Sequence, residues 1–147
     1  MESLSIFTDA ELTPQPTVPG RVDLAAGVRW HHRHLAIEGR AGGGAAFTAR
    51  AGGYVLGARA GVSIGAALPL GRRVAIEPML AYDLFALWQP TSGSSSPIVQ
   101  QIGIAAPLTI LVFHHVAVEA FVELGLARYR GTNDLVVLAG PRIDIVL

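Results

Sequence analysis

Three histidines, His31, His32 and His34, fall within four residues in the stretch RWHHRH. Imidazole is a common metal ligand, and rings this close can share one ion. No cysteine or neighbouring carboxylate completes a set, so the stretch reads as a polar turn beside Trp30 with no metal bound. His114 and His115 read the same way, as a second tight turn.

A serine beside a histidine on one strand face would suit acyl transfer. No histidine here is followed at short spacing by such a serine, and Ser63 has no histidine near it in sequence, so no enzyme is expected. The glycines of RAGGGAA and ARAGG do not lead from a strand into a helix, as a phosphate-binding loop must. They read as a mobile external loop, and QPTSGSSSP as another polar loop. No cofactor is implied.

The remaining chemistry lies in charged residues set singly into apolar surroundings: Asp23, Arg29, Glu38, Arg40, Arg59, Glu77, Asp83, Glu119, Glu123, Arg142 and Asp144. Their neighbours at odd spacing are aliphatic, which is the period of a β-strand with two unlike faces. Tyr54 to Leu70 shows it best. Tyr54, Leu56, Ala58, Ala60, Val62, Ile64, Ala66, Leu68 and Leu70 alternate with Val55, Gly57, Arg59, Gly61, Ser63, Gly65 and Ala67.

The pattern returns in Val22 to Trp30, Leu35 to Arg40, Val74 to Trp88, Ile98 to Phe113, Val116 to Arg128 and Leu135 to Leu147. A short eighth strand is read in Ser3 to Phe7. Pro78 and Pro107 predict local irregularities, because proline cannot donate to a ladder. Tight connections (HHR, GRR, His114–His115) alternate with long or polar ones (TDAELTPQPTVPG, RAGGGAAFTARAGG, QPTSGSSSP, RGTND). The expected fold is therefore all-β, an antiparallel up-and-down barrel of about eight strands forming a single domain over residues 1–147.

Composition narrows the setting. The chain is 51% hydrophobic and 15% charged, yet it has no apolar run long enough for a membrane helix. Its 17 glycines and 9 prolines oppose a helical bundle. All 11 basic residues are arginine, balanced by 11 acids, and there is no basic footprint for nucleic acid. Cysteine is absent, so disulfides are excluded.

A soluble lipocalin-like barrel carrying an apolar ligand would share the alternation, but its polar face would be the exterior and rich in long charged side chains. Here that face is crowded with Gly57, Gly61, Gly65, Gly103 and Gly125, as a narrow interior requires. The aliphatic face then meets lipid, making this a transmembrane β-barrel. Trp30, Tyr54 and Trp88 fall on that face at strand ends and are expected as membrane-interface aromatics, whereas Phe113 and Tyr129 have the wrong parity. The eleven charged residues turn inward as a lumen charge network.

TPQPTVPGRVDLAAGVRW, VAIEPMLAYDLF and the closing AGPRIDIVL resemble a family of small outer-membrane β-barrel proteins of Gram-negative bacteria. The resemblance implies the bacterial outer membrane as location, with the lipid bilayer and the outer-membrane assembly machinery as partners, and carries no catalytic residues. Many such barrels end in an aromatic residue, where this chain has Leu147. The amino end, MESLSIFTDAELTPQP, has no secretory signal, so a leader is expected to be missing from it. The expected role is non-enzymatic, structural or in surface interaction, with a narrow pore as a further alternative.

Overall fold

The computed structural model describes residues 2–13, 21–48, 53–89, 94–95, 98–129 and 132–147. The strands are β1 (Glu2–Thr13), β2 (Arg21–His32), β3 (Leu35–Thr48), β4 (Gly53–Ala66), β5 (Leu68–Pro69) and β6 (Val74–Ile76). They continue as β7 (Met79–Gln89), β8 (Ser94–Ser95), β9 (Val99–Ala105), β10 (Leu108–Phe113), β11 (Val116–Tyr129) and β12 (Thr132–Val146). All pairings are antiparallel, and β12 returns to β1, so the sheet closes on itself. Because β6 and β7 form one stave, and β9 and β10 another, the closed sheet has eight staves.

The two broken staves lie side by side, and each breaks at proline. Ile76 pairs with Leu108 and Met79 with Ala105, leaving Glu77–Pro78 opposite Ala106–Pro107 outside the regular ladder. Glu77 N–H donates to the Pro107 carbonyl at 2.9 Å and Ala106 N–H to that of Val122 at 2.9 Å. The backbone donors that remain thus find acceptors despite the two missing N–H groups.

The two faces separate by strand parity. Leu56, Val62 and Ile64 on β4 point outward, while Arg59 and Ser63 are buried; the same holds for Leu80, Tyr82 and Leu84 against Asp83 and Phe85 on β7. A one-residue slip would exchange the faces. Among the described strand side chains, the outward phase carries no charge until Arg128 at the end of β11.

Several boundaries differ from the sequence reading. The first strand extends to Thr13 rather than stopping at Phe7, its ladder to β2 running unbroken from Glu2↔His32 to Thr13↔Arg21. Of the glycines read as a mobile loop, Gly42, Gly43 and Gly44 are strand, pairing with β2 on one side and β4 on the other, and Gly53 opens β4, while Gly52 lies outside the described residues. Weak strand propensity is overridden there by two neighbouring ladders. His31 and His32 end β2, and the turn is Arg33–His34 alone, with Arg33 at φ 57° as a tight two-residue hairpin requires. Tyr54 to Leu70 is interrupted at Ala67, and β12 begins at Thr132, within the stretch read as a connection.

Phe113 also departs from expectation. The β10–β11 register shifts between Leu111 and Phe113, and the extra residue turns Phe113 outward, 70% exposed beside Val112 at 44%. Its parity predicts an inward ring, and the bulge reverses it.

Candidate functional site: the charged lumen

Glycine makes room for charge inside the barrel. Gly61 stands opposite Asp83 in the β4–β7 register, and a Cβ at Gly61 would collide with the Asp83 carboxylate. Gly44 stands in the same relation to Asp23, and Gly27 to the ring of Phe7. Large side chains on one stave thus fill the space that glycine leaves on the next.

The eleven charged residues expected to turn inward are all buried. Ten of them form two linked groups. In the first, Arg29 donates from Nε and Nη2 to Glu38 Oε2 at 3.0 and 2.8 Å, and from Nη1 to Glu119 Oε2 at 2.7 Å and Asp144 Oδ2 at 3.1 Å. Glu77 Oε2 lies 3.3 Å from the same Nη1. Arg142 Nη1 adds bonds to Glu38 at 2.9 Å and Glu119 at 3.0 Å. In the second group, Arg40 and Arg59 each donate through Nε to Asp83 Oδ1 at 3.0 Å, and Arg40 Nη2 donates to Glu123 at 2.8 Å. Arg40 Nη1 lies 3.9 Å from Glu38 Oε1 and joins the two groups. The eleventh residue, Asp23, is buried beside Gly44.

Each buried charge must be matched closely, because desolvation costs several kcal/mol per ion. The planar guanidinium suits this, presenting several donors to more than one carboxylate. Aromatic rings complete the fill: the Arg142 guanidinium lies 4.2 Å from the Phe7 ring centroid and 5.0 Å from that of Phe121, and Arg59 lies 5.1 Å from Phe85.

Strand parity places the charged residues, but the site has members that sequence proximity hides. Gln101 Nε2 donates to Glu123 at 2.8 Å and Thr109 Oγ1 to Glu119 at 3.1 Å. His31 meets a carboxylate after all, its Nε2 lying 3.0 Å from Glu77 Oε1, and Ser3 Oγ lies 3.4 Å from His31 Nδ1. Those partners come from strands remote in sequence, where local spacing gives no signal. Among the described residues, no group of three histidine, cysteine or acidic side chains is placed to hold a metal ion.

Outside the wall, Trp30 lies near the short-turn end, its indole stacked on the His32 ring with centroids 5.6 Å apart, and Trp88 lies near the other end. Both face outward. The side chain of Tyr54 is outside the described residues.

A closed eight-stave barrel with an aliphatic exterior and a charged, ring-filled interior is a transmembrane β-barrel, with the fold of small bacterial outer-membrane proteins. Among solved structures, the chain is similar to Neisserial surface protein A, at 10% identity, covering 98% of this chain and 96% of that one with a TM-score of 0.75. It is similar as well to the Yersinia pestis outer membrane protein Ail in a phospholipid bilayer nanodisc, at 12% identity, 99% and 100% coverage and a TM-score of 0.56. A de novo designed transmembrane β-barrel matches at 14% identity, 99% and 95% coverage and a TM-score of 0.59. No family model and no curated protein matches the sequence.

Proposed function

We propose that the chain is a non-enzymatic outer-membrane barrel with a sealed polar lumen, serving as a structural element or as a base that presents its longer connections for surface interaction. The observation that carries this reading is the lumen fill: Arg29, Glu38, Glu119, Glu123 and Asp83 are almost wholly buried and bonded to partners on facing staves. A water-filled channel would leave such groups solvated. The aliphatic wall supports the lipid bilayer as the first partner, and an outer-membrane location makes the outer-membrane assembly machinery the second. Short turns at one end and longer connections at the other fit an orientation with the short turns toward the periplasm.

A soluble carrier would need a hydrated exterior, which Leu24, Val62, Ile104 and Leu124 oppose. The Ser3–His31 contact is long for a hydroxyl hydrogen bond and gives no reason to assign hydrolysis. The test is refolding into planar bilayers. Heat-modifiable migration on a gel together with no steady conductance is the expected result; ohmic conductance in properly folded protein contradicts a sealed lumen.

A further inference from the structure

The rim of the barrel at the short-turn end carries exposed positive charge. Its three connections are residues 33–34, 70–73 and 114–115, and none contains an acid. Arg33, Arg72 and Arg73 are exposed there and form no ion pair among the described residues. The carboxylates nearest to them in sequence, those of Glu38 and Glu77, are buried in the lumen. Glu2 pairs with His32 at this end, and its side chain is outside the described residues.

Each connection sits beside outward apolar side chains. Trp30 and Leu35 flank the first, Leu68 and Leu70 lead into Arg72, and Val112 and Phe113 lead into His114. Leu70 and Phe113 are 65% and 70% exposed, and it is the β10 bulge that turns Phe113 outward. The connections are also fastened to the neighbouring stave. The His34 carbonyl accepts from Ala67 N–H at 2.8 Å, that of Arg73 from Leu111 N–H at 2.8 Å, and that of His115 from Val146 N–H at 2.9 Å. Because one residue adds at most about 3.6 Å of reach, turns this short and this firmly tied keep their cations close to the hydrocarbon edge. That is the depth of lipid phosphates, and an arginine there lays its methylene stem on apolar surface with its guanidinium in the headgroup layer.

We propose that this rim selects anionic phospholipids of the phosphatidylglycerol type in the leaflet that the short turns reach. A guanidinium binds phosphate oxygens through parallel N–H donors, and the exposed imidazoles of His34 and His114 add further N–H groups. A zwitterionic headgroup brings its own cation and gains less from the rim, whereas an anionic one meets unpaired positive charge. Each arginine near an anionic membrane surface is worth about fivefold in affinity. A soluble polyanion would meet the same charge, but Leu70 and Phe113 set hydrocarbon beside the cations, which favours lipid. The assignment rests on the bilayer as the first partner of the barrel and names the lipid class. It is independent of whether the lumen conducts and of which compartment the short turns face.

Fluorescence quenching in phosphatidylcholine vesicles tests it, with phosphatidylglycerol or phosphatidylcholine brominated near the headgroup mixed in. W88F retains Trp30 at the short-turn end, and W30F retains Trp88 at the other. At low salt the brominated phosphatidylglycerol is expected to associate around Trp30 at least about fivefold more strongly than the brominated phosphatidylcholine, with a smaller preference around Trp88. In the W88F background, R33N/R72Q/R73Q is expected to bring the Trp30 preference down to about one, and R33K/R72K/R73K to keep it. Asparagine suits the positive φ of Arg33, so the neutral variant leaves the turn intact. Equal quenching of Trp30 by the two lipids in protein that retains heat-modifiable migration overturns headgroup selection alone. Quenching by neither lipid overturns the membrane reading with it. A preference unchanged in R33N/R72Q/R73Q, or equally large at Trp88, also overturns the proposal.

Discussion

Replacing Arg29 with methionine removes the centre of the larger lumen group. Its guanidinium donates to Glu38, Glu119 and Asp144, so the substitution leaves that group to Arg142 and the more distant Arg40. Removing one partner of a buried ion pair costs about 3–5 kcal/mol, mostly from the charge left unpaired. With a urea slope of about 2 kcal/mol/M, the unfolding midpoint in phospholipid vesicles falls by roughly 1.5–2.5 M. Trp30 and Trp88 fluorescence reports the transition. The decisive comparison adds Asp144→Asn, because the Asp144 carboxylate accepts from Arg29 Nη1 and an amide in its place removes one of the charges that Arg29→Met strands. The double variant is expected to regain at least about 1 kcal/mol over Arg29→Met. A loss below about 1 kcal/mol for Arg29→Met, or no recovery in the double variant, refutes the account of a lumen held by matched charge.

Three further predictions follow from the walls. Gly61→Ala places a methyl against the Asp83 carboxylate and is expected to cost about 1–3 kcal/mol, whereas a Cβ at Gly39 meets nothing within 4 Å and Gly39→Ala is expected to be neutral or slightly stabilising; urea unfolding compares the two. Val62→Arg puts a charge on the outward face near mid-barrel and should lower stability by about 2–4 kcal/mol in the same assay, an effect absent if that face is hydrated. In vesicles, lipids brominated near the headgroup are expected to quench single-tryptophan forms retaining Trp30 or Trp88 more strongly than lipids brominated near the chain end, which checks their assignment to the two membrane interfaces.

Strand parity makes the lumen legible. Asp83 and Glu123 are 40 residues apart in sequence but share the inward phase, and burial of the aliphatic face in lipid fixes that phase in every stave. Partner choice is not legible in the same way. Arg40 meets Asp83 and Glu123, and His31 meets Glu77, because of how eight staves tilt and close, which no local window encodes. The glycine-rich stretch around Gly43 reads as a loop for a related reason: its residues carry little apolar signal, and their strand geometry comes from the ladders on both sides. Phe113 defies parity because a bulge adds a residue without leaving a mark in composition. Pro78 and Pro107 are informative in advance, since a missing N–H disrupts a ladder in any context.

The central claim is that alternate residues of one strand meet lipid and a closed, charged interior. The chain has no cysteine, so single cysteines can be introduced at each position from 56 to 64 of β4 and spin-labelled without background. Collision rates in reconstituted vesicles are then measured with oxygen, which concentrates in lipid, and with a polar nickel complex. The account predicts high oxygen accessibility at positions 56, 58, 60, 62 and 64 and low accessibility to both reagents at the positions between. Nickel accessibility at the even positions, or loss of the two-residue period, contradicts it.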